Sequence, residues 1–183
     1  VAVDAINKGE IHIIEPNLDI YVKEAVSKGL LKAYSSTQPA DIYIICVPTP
    51  FHSNDGIPNP NIDYIKEATL SIAPIVKSGD MIILESTSPV GTTNYIQSIL
   101  REDNGVDNIY IGYCPERVLP GKILKELINN DRVIGGVDKS STQAISNFYK
   151  SFVEGEILET NAKTAEMCKL TENSFRDVNI LDI

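Results

Sequence analysis

Short apolar runs alternate with helix-period segments along most of this chain, and that alternation constrains the fold more than any other feature. From Asp41 the run DIYIICV is mostly β-branched or aromatic and stops at the Pro-Thr-Pro of 48–50, as a buried strand does. The segment FHSNDGIPNPN that follows is dense in turn formers and reads as a loop. Ile62, Ile65, Ala68, Ile72 and Ile75 then recur near helical spacing, which predicts a helix over 62–76. Gly79-Asp80 ends it, and MIIL at 81–84 makes a second buried strand. Further along, the pattern predicts a helix over 92–101, a strand at 109–113 and a short helix at 123–128. A strand at 132–134, a helix at 141–152, a strand at 156–159 and a last helix from about 162 complete it. Strands that are apolar throughout, with helices between them, predict an α/β fold: a doubly wound parallel sheet covered on both faces. Ligands of such sheets sit beyond the carboxyl ends of the strands, so the residues that follow strands are the candidates.

The chain has 183 residues and is 43% hydrophobic, enough for one domain or one domain and the start of another. Sixteen Lys and Arg against 25 Asp and Glu leave a formal charge of −9. No basic surface suited to nucleic acid or an anionic membrane is expected from that balance. No run of ~18 apolar residues occurs, which excludes a membrane-spanning helix. The opening residues carry no secretory pattern, and without an initial Met the natural start is expected upstream. Cys46, Cys114 and Cys168 are odd in number and too widely spaced for a zinc knuckle or a redox pair. They read as reduced thiols of a cytoplasmic protein, Cys46 inside a strand and Cys168 on the last helix. His12 and His52 have no partners at ligand spacing and read as surface residues, so no metal site is expected.

Three strand ends and one helix carry the chemistry. V-P-T-P at 47–50 offers the Thr49 hydroxyl at a rigid strand exit, or is simply a proline-stiffened turn. ESTSPVGTT at 85–93 runs from a strand through Gly91 into a helix start. Its backbone N–H groups and hydroxyls suit an anionic ligand, or serve as ordinary N-caps. YCPERVLPG at 113–121 fixes Glu116 and Arg117 past a strand. That carboxylate can take a proton or orient water and the guanidinium can grip a phosphate or sugar, unless the two form a surface ion pair. On the last helix Lys169, Asn173 and Arg176 share one face, while Cys168, Phe175 and Val178 point more nearly toward a core. The polar face is either a donor array for an oxyanion or sugar, or a solvated surface.

Taken in order, HIIEPNLD (12–19), VPTP, ESTSPVGTT, CPERVLPG, NDRVIGG (130–136) and EMCKLTENSFRDVNI (166–180) resemble the nucleotide-sugar 6-dehydrogenases, the UDP-glucose/GDP-mannose dehydrogenase family. The likeness runs from about Val3 to Ile180. It implies a Rossmann-like sheet lacking its N-terminal strands: residues 1–160 as the rest of an NAD-binding domain, and 161–183 as the start of a central helix that pairs two subunits. It also implies NAD as cofactor and a UDP-sugar as substrate. The primary alcohol of the sugar is oxidised to the uronate in two hydride transfers, with a cysteine holding the intermediate as a thioester. By motif position Lys169, Asn173 and Glu116 match catalytic residues, Lys169 as acid/base and oxyanion support. Arg117, Val118, Lys169, Asn173 and Arg176 match substrate contacts, and Thr49 and Thr87 match NAD contacts. The Arg117-Val118 pair and the NSFRDVN run resemble the branch acting on UDP-N-acetyl-D-mannosamine. Enzymes for UDP-N-acetylglucosamine or UDP-glucose are the alternative, and a binding remnant without catalysis is another.

Two departures from the family pattern bear on activity. The GxGxxG turn and its acidic ribose partner are absent from the sequence, and none of the three cysteines occupies the family's GGHC-like nucleophile segment. The resemblance therefore implies an internal fragment of a homodimeric cytoplasmic enzyme of polysaccharide synthesis, inactive by itself.

Overall fold

A computed structural model describes residues 2–11, 13–52, 58–105 and 107–181. Helices α1 (Ala2–Asn7) and α2 (Leu18–Ser27) precede β1 (Ile42–Ile45), and β2 (Phe51–His52) and β3 (Asn59–Pro60) form a small hairpin. Then follow α3 (Asp63–Ile72), β4 (Met81–Leu84), α4 (Thr92–Asn104), β5 (Tyr110–Tyr113) and α5 (Ile123–Asn129). The order closes with β6 (Arg132–Gly136), α6 (Lys139–Lys150), β7 (Ile157–Asn161) and α7 (Ala162–Leu181).

The main sheet has the order β1-β4-β5-β6-β7. Neighbours are parallel except for one pair: β6 runs antiparallel to β5, with Gly112 opposite Gly136 and Tyr113 opposite Gly135. The wholly parallel sheet expected from the sequence is corrected at that point. The 114–131 connection stays at one end of the sheet, so β6 begins where β5 ends and must run back beside it. Glycines make the pairing close. A Cβ on Gly112 would lie 2.4 Å from Ile145 Cδ1 and 2.9 Å from the Gly135 carbonyl oxygen.

Strand β4 shows the doubly covered core most clearly, since all four of its residues are buried. Ile82 and Leu84 join Tyr43, Ile45, Ile65, Ile96, Leu100, Ile111 and Tyr113 in one cluster, which Ala165 of α7 completes. Met81 and Ile83 face the other way, toward Cys114, Ile134, Ile145, Tyr149 and Val153. Each such buried aliphatic side chain contributes about 1.5–3 kcal/mol. The outer strands differ, because β1 and β7 bury only part of their surface and Ile44 and Leu158 are exposed.

Other expectations also shift. Cys46 lies just past β1 and is exposed, not buried within a strand. Phe175 and Val178 are exposed, so the far half of α7 has no core beneath it among the described residues. Helix α2 went unread in the sequence. Helix α6 starts at Lys139, two residues early, because the Asp138 carboxylate caps it by accepting from Ser141 N at 2.7 Å. His52 is exposed, with Nε2 3.8 Å from Asp63; His12 lies outside the described residues.

Candidate functional site

The carboxyl ends of β1 and β4 are stapled together. Ser86 donates its hydroxyl to the Val47 carbonyl at 2.7 Å, and Glu85 N donates to the Ile45 carbonyl at 3.0 Å. Thr49 and Thr87, both half-buried, therefore sit on neighbouring loops along one sheet edge. Beneath them Glu85 joins two elements: it accepts from the Tyr149 hydroxyl of α6 and from the Cys46 thiol at 3.4 Å. Burial of Tyr149, then the charges around it, push its hydroxyl far above the usual range, so it stays a donor.

Two backbone amides at the start of α4 are taken by a carboxylate from elsewhere in the chain. Glu166 of α7, with no exposed surface, accepts from Gly91 N at 2.6 Å, Thr93 N at 2.8 Å and the Thr93 hydroxyl at 2.6 Å. The Ser and Thr residues of 85–93 do not cap α4 themselves: its N-cap position is Gly91, without a side-chain cap, and the capping carboxylate comes from a residue 73 positions away from Thr93. A second buried glutamate does the same at α5. Glu15 accepts from Gly121 N at 2.7 Å and Ile123 N at 2.8 Å, which fixes the loop that follows Pro120.

Helix α7 turns back over β5 and β6 toward that sheet edge, and there it meets the 114–118 loop. Lys169, half-buried, donates to the Glu116 carbonyl at 2.6 Å. Desolvation lowers the Lys169 ammonium below its ordinary value, Glu116 and Glu172 oppose that, and Arg176 and Arg117 add to it. The Glu116 carboxylate accepts from Val118 N, so this loop folds around its own acid. Arg117 pairs with Glu172 at 2.6 Å and donates to the Asp131 carbonyl at 3.3 Å. Its partner is thus an α7 residue, not the neighbouring Glu116. A cleft of about 440 Å³ opens beside the pair, lined by Arg117, Glu172, Phe175, Arg176 and Asn179.

Lys169, Glu116, Arg117 and Arg176 therefore come together along the middle of α7. Val118 joins them through the loop, and half-buried Asn173 lies one turn beyond Lys169. Thr49 and Thr87 stand apart, at the exits of β1 and β4. The sequence analysis missed Glu15, Glu166 and Glu172. Glu166 had a signal, since Ala162, Ala165 and Glu166 form one stripe and a lone carboxylate among small apolar residues asks for buried donors. Among the described residues no group of His, Cys, Asp and Glu could hold a metal ion, and no helix is long and apolar enough to cross a membrane.

Residues 1–153 match the family model for the UDP-glucose/GDP-mannose dehydrogenase family, NAD binding domain. A UDP-N-acetyl-D-mannosamine dehydrogenase of Campylobacter jejuni is 50% identical over 97% of this chain, which covers 46% of that protein. An NDP-N-acetyl-D-galactosaminuronic acid dehydrogenase of Ralstonia nicotianae is 48% identical over 98% of the chain and is covered to 44%. Among solved structures, the UDP-D-ManNAc dehydrogenase of Pyrococcus horikoshii superposes with a TM-score of 0.92 at 42% identity, over 98% of this chain and 43% of that one. The chain thus spans less than half the length of these relatives. On the family match over residues 1–153, the chain belongs to the UDP-glucose/GDP-mannose dehydrogenase family.

Proposed function

We propose that the full-length protein carrying this chain oxidises the primary alcohol of a UDP-N-acetylhexosamine, UDP-N-acetyl-D-mannosamine in the first place, to the uronate with NAD. The observation that carries this reading is the half-buried Lys169 held against the 114–118 loop, at the sheet edge where such folds bind ligands. The relatives named for UDP-N-acetyl-D-mannosamine and for an N-acetyl-D-galactosaminuronic acid are nearly equal in identity. That similarity supports an N-acetylated sugar as the substrate class. UDP-glucose is the alternative.

The residues present fit one part of a dinucleotide site. The half-buried hydroxyl residues Thr49 and Thr87 line adjacent strand exits and would hold NAD there. At the α4 N-terminus Gly91 N and Thr93 N are already engaged by Glu166 and are not offered to a phosphate. When bound, NAD supplies the hydride acceptor. The chain's own residues do the rest. Lys169, charged, steadies negative charge on the substrate oxygen, where a fixed donor in a desolvated site is worth most. Asn173 holds the reacting oxygen or its water, and Glu116 serves the hydrolytic half of the reaction. Arg117, Val118 and Arg176 contact the UDP-sugar around the cleft of about 440 Å³.

By motif position none of the three cysteines is the nucleophile, and for two of them the surroundings argue the same way. Burial pushes the Cys114 thiol up to about 12, and desolvation and then Glu85 push Cys46 up to about 12, so neither forms a useful thiolate near neutral pH. The nucleophile belongs to the remainder of the full-length protein. We assign residues 1–160 to the NAD-binding domain and 161–183 to the start of a central helix, in a homodimeric cytoplasmic enzyme of polysaccharide synthesis. In the full-length enzyme Lys169→Ala lowers kcat by about 10²-fold or more and leaves NAD affinity within about twofold. Near-normal turnover would show the lysine to be structural.

A further inference from the structure

Lys169 is brought to the sheet edge by something other than its own contact, because a single bond to the Glu116 carbonyl does not fix the axial position of a helix. Glu166 lies one turn before it on α7, and both its oxygens are engaged by α4: one by Gly91 N, the other by Thr93 N and the Thr93 hydroxyl. The carboxylate is completely buried and faces the positive end of α4, where a negative charge is best accommodated. Three charge-assisted bonds tie α7 to the start of the 13-residue α4. We propose that Glu166 is the positioning residue of the site: by capping α4 in trans it sets the height and rotation of α7, and so the place of Lys169 against the 114–118 loop. The proposal rests on the reading of Lys169 given above.

The groups facing the Lys169 ammonium are Glu116 and Arg117 from the loop and Glu172 and Arg176 from α7. Loosening α7 at Glu166 carries Lys169, with Glu172 and Arg176 on the same helix, away from Glu116 and Arg117 and lets water reach the ammonium; desolvation is the main cause of its lowered value, so its titration rises toward that of an ordinary lysine. The test follows Lys169 by ¹³C NMR in full-length protein labelled with [ε-¹³C]lysine, the resonance assigned by loss in Lys169→Arg, with kcat measured alongside. In folded Glu166→Gln the Lys169 midpoint moves up by about half a pH unit or more and kcat falls about tenfold or more. Thr93→Val gives a smaller shift of the same sign, and Thr93→Ser, which keeps the donor, gives none. An unmoved Lys169 midpoint in folded Glu166→Gln would overturn the proposal. Should that variant not fold, an unmoved midpoint in Thr93→Val would do so. Absence of turnover in the parent protein would instead overturn the enzymatic reading, while the NMR shift would still decide the positioning.

Discussion

The thiol of Cys46 is exposed at the exit of β1, yet it donates to Glu85, and desolvation followed by that carboxylate raises it to about 12. An exposed cysteine is ordinarily the first to alkylate, so the prediction is specific. At pH 8 iodoacetamide labels Cys46 at least about tenfold more slowly than an unperturbed thiol. Glu85→Gln removes a charge that raises it and so speeds labelling, whereas a parent rate equal to that of a free peptide thiol would contradict the assignment. Lys169 shifts in the opposite sense to the thiol, for the same physical reason: desolvation disfavours whichever form is charged. If the ammonium is the working form, activity falls as pH rises through a midpoint below the ordinary lysine value of about 10.4. A pH–rate profile of kcat checks this, and an alkaline limb at or above the ordinary value would contradict it. Both effects depend on neighbours distant in sequence, which is why neither the Cys46 environment nor the exposure of Phe175 and Val178 on the Lys169 helix was legible in local patterns.

At the scale of elements, two glutamates tie helices to segments far away in the chain. Glu15, buried, holds Gly121 N and Ile123 N. Glu15→Ala leaves two backbone donors without their acceptor and costs about 1–3 kcal/mol, read as a lower urea midpoint at unchanged m-value. An unaltered midpoint would show that water replaces the cap. Glycine placement gives a second contrast. A Cβ on Gly135 would stand 2.2 Å from the Asn161 carbonyl oxygen, at the turn where β7 becomes α7, whereas Gly105 (φ 58°) has open space around its Cβ position. Gly105→Ala costs only the left-handed strain of about 1–2 kcal/mol. Gly135→Ala costs more, since backbone must move, and it displaces α7 with its lysine. Equal urea midpoints for the two variants would refute that ranking. The elements from 41 onward were legible because apolar runs, glycine breaks and helical spacing are local signals. Helix α2 lacks a buried face, and the antiparallel turn of β6 depends on where the 114–131 connection lies, so neither was written in a local pattern.

For the whole molecule, the sheet carries an apolar surface that its own helices do not cover. Ile44 on β1, Leu158 on β7, and Met167, Phe175 and Val178 on α7 are all exposed, and a groove of about 840 Å³ runs along α7 between Val90, Leu158, Met167 and Phe175. A surface of that kind drives association. The 183-residue chain by itself is expected to self-associate with rising concentration in light scattering, and a monodisperse monomer at high concentration would show that the surface is tolerated. The family and its fold were readable from motifs spread over the whole chain, while the substrate rests on a few residues around Arg117 and on relatives twice its length. The most direct test is therefore NADH formation by the full-length protein with UDP-N-acetyl-D-mannosamine, UDP-N-acetylglucosamine and UDP-glucose side by side. The account predicts the highest kcat/KM with UDP-N-acetyl-D-mannosamine and loss of that rate in Lys169→Ala; preference for UDP-glucose, or a rate that survives the substitution, would contradict it.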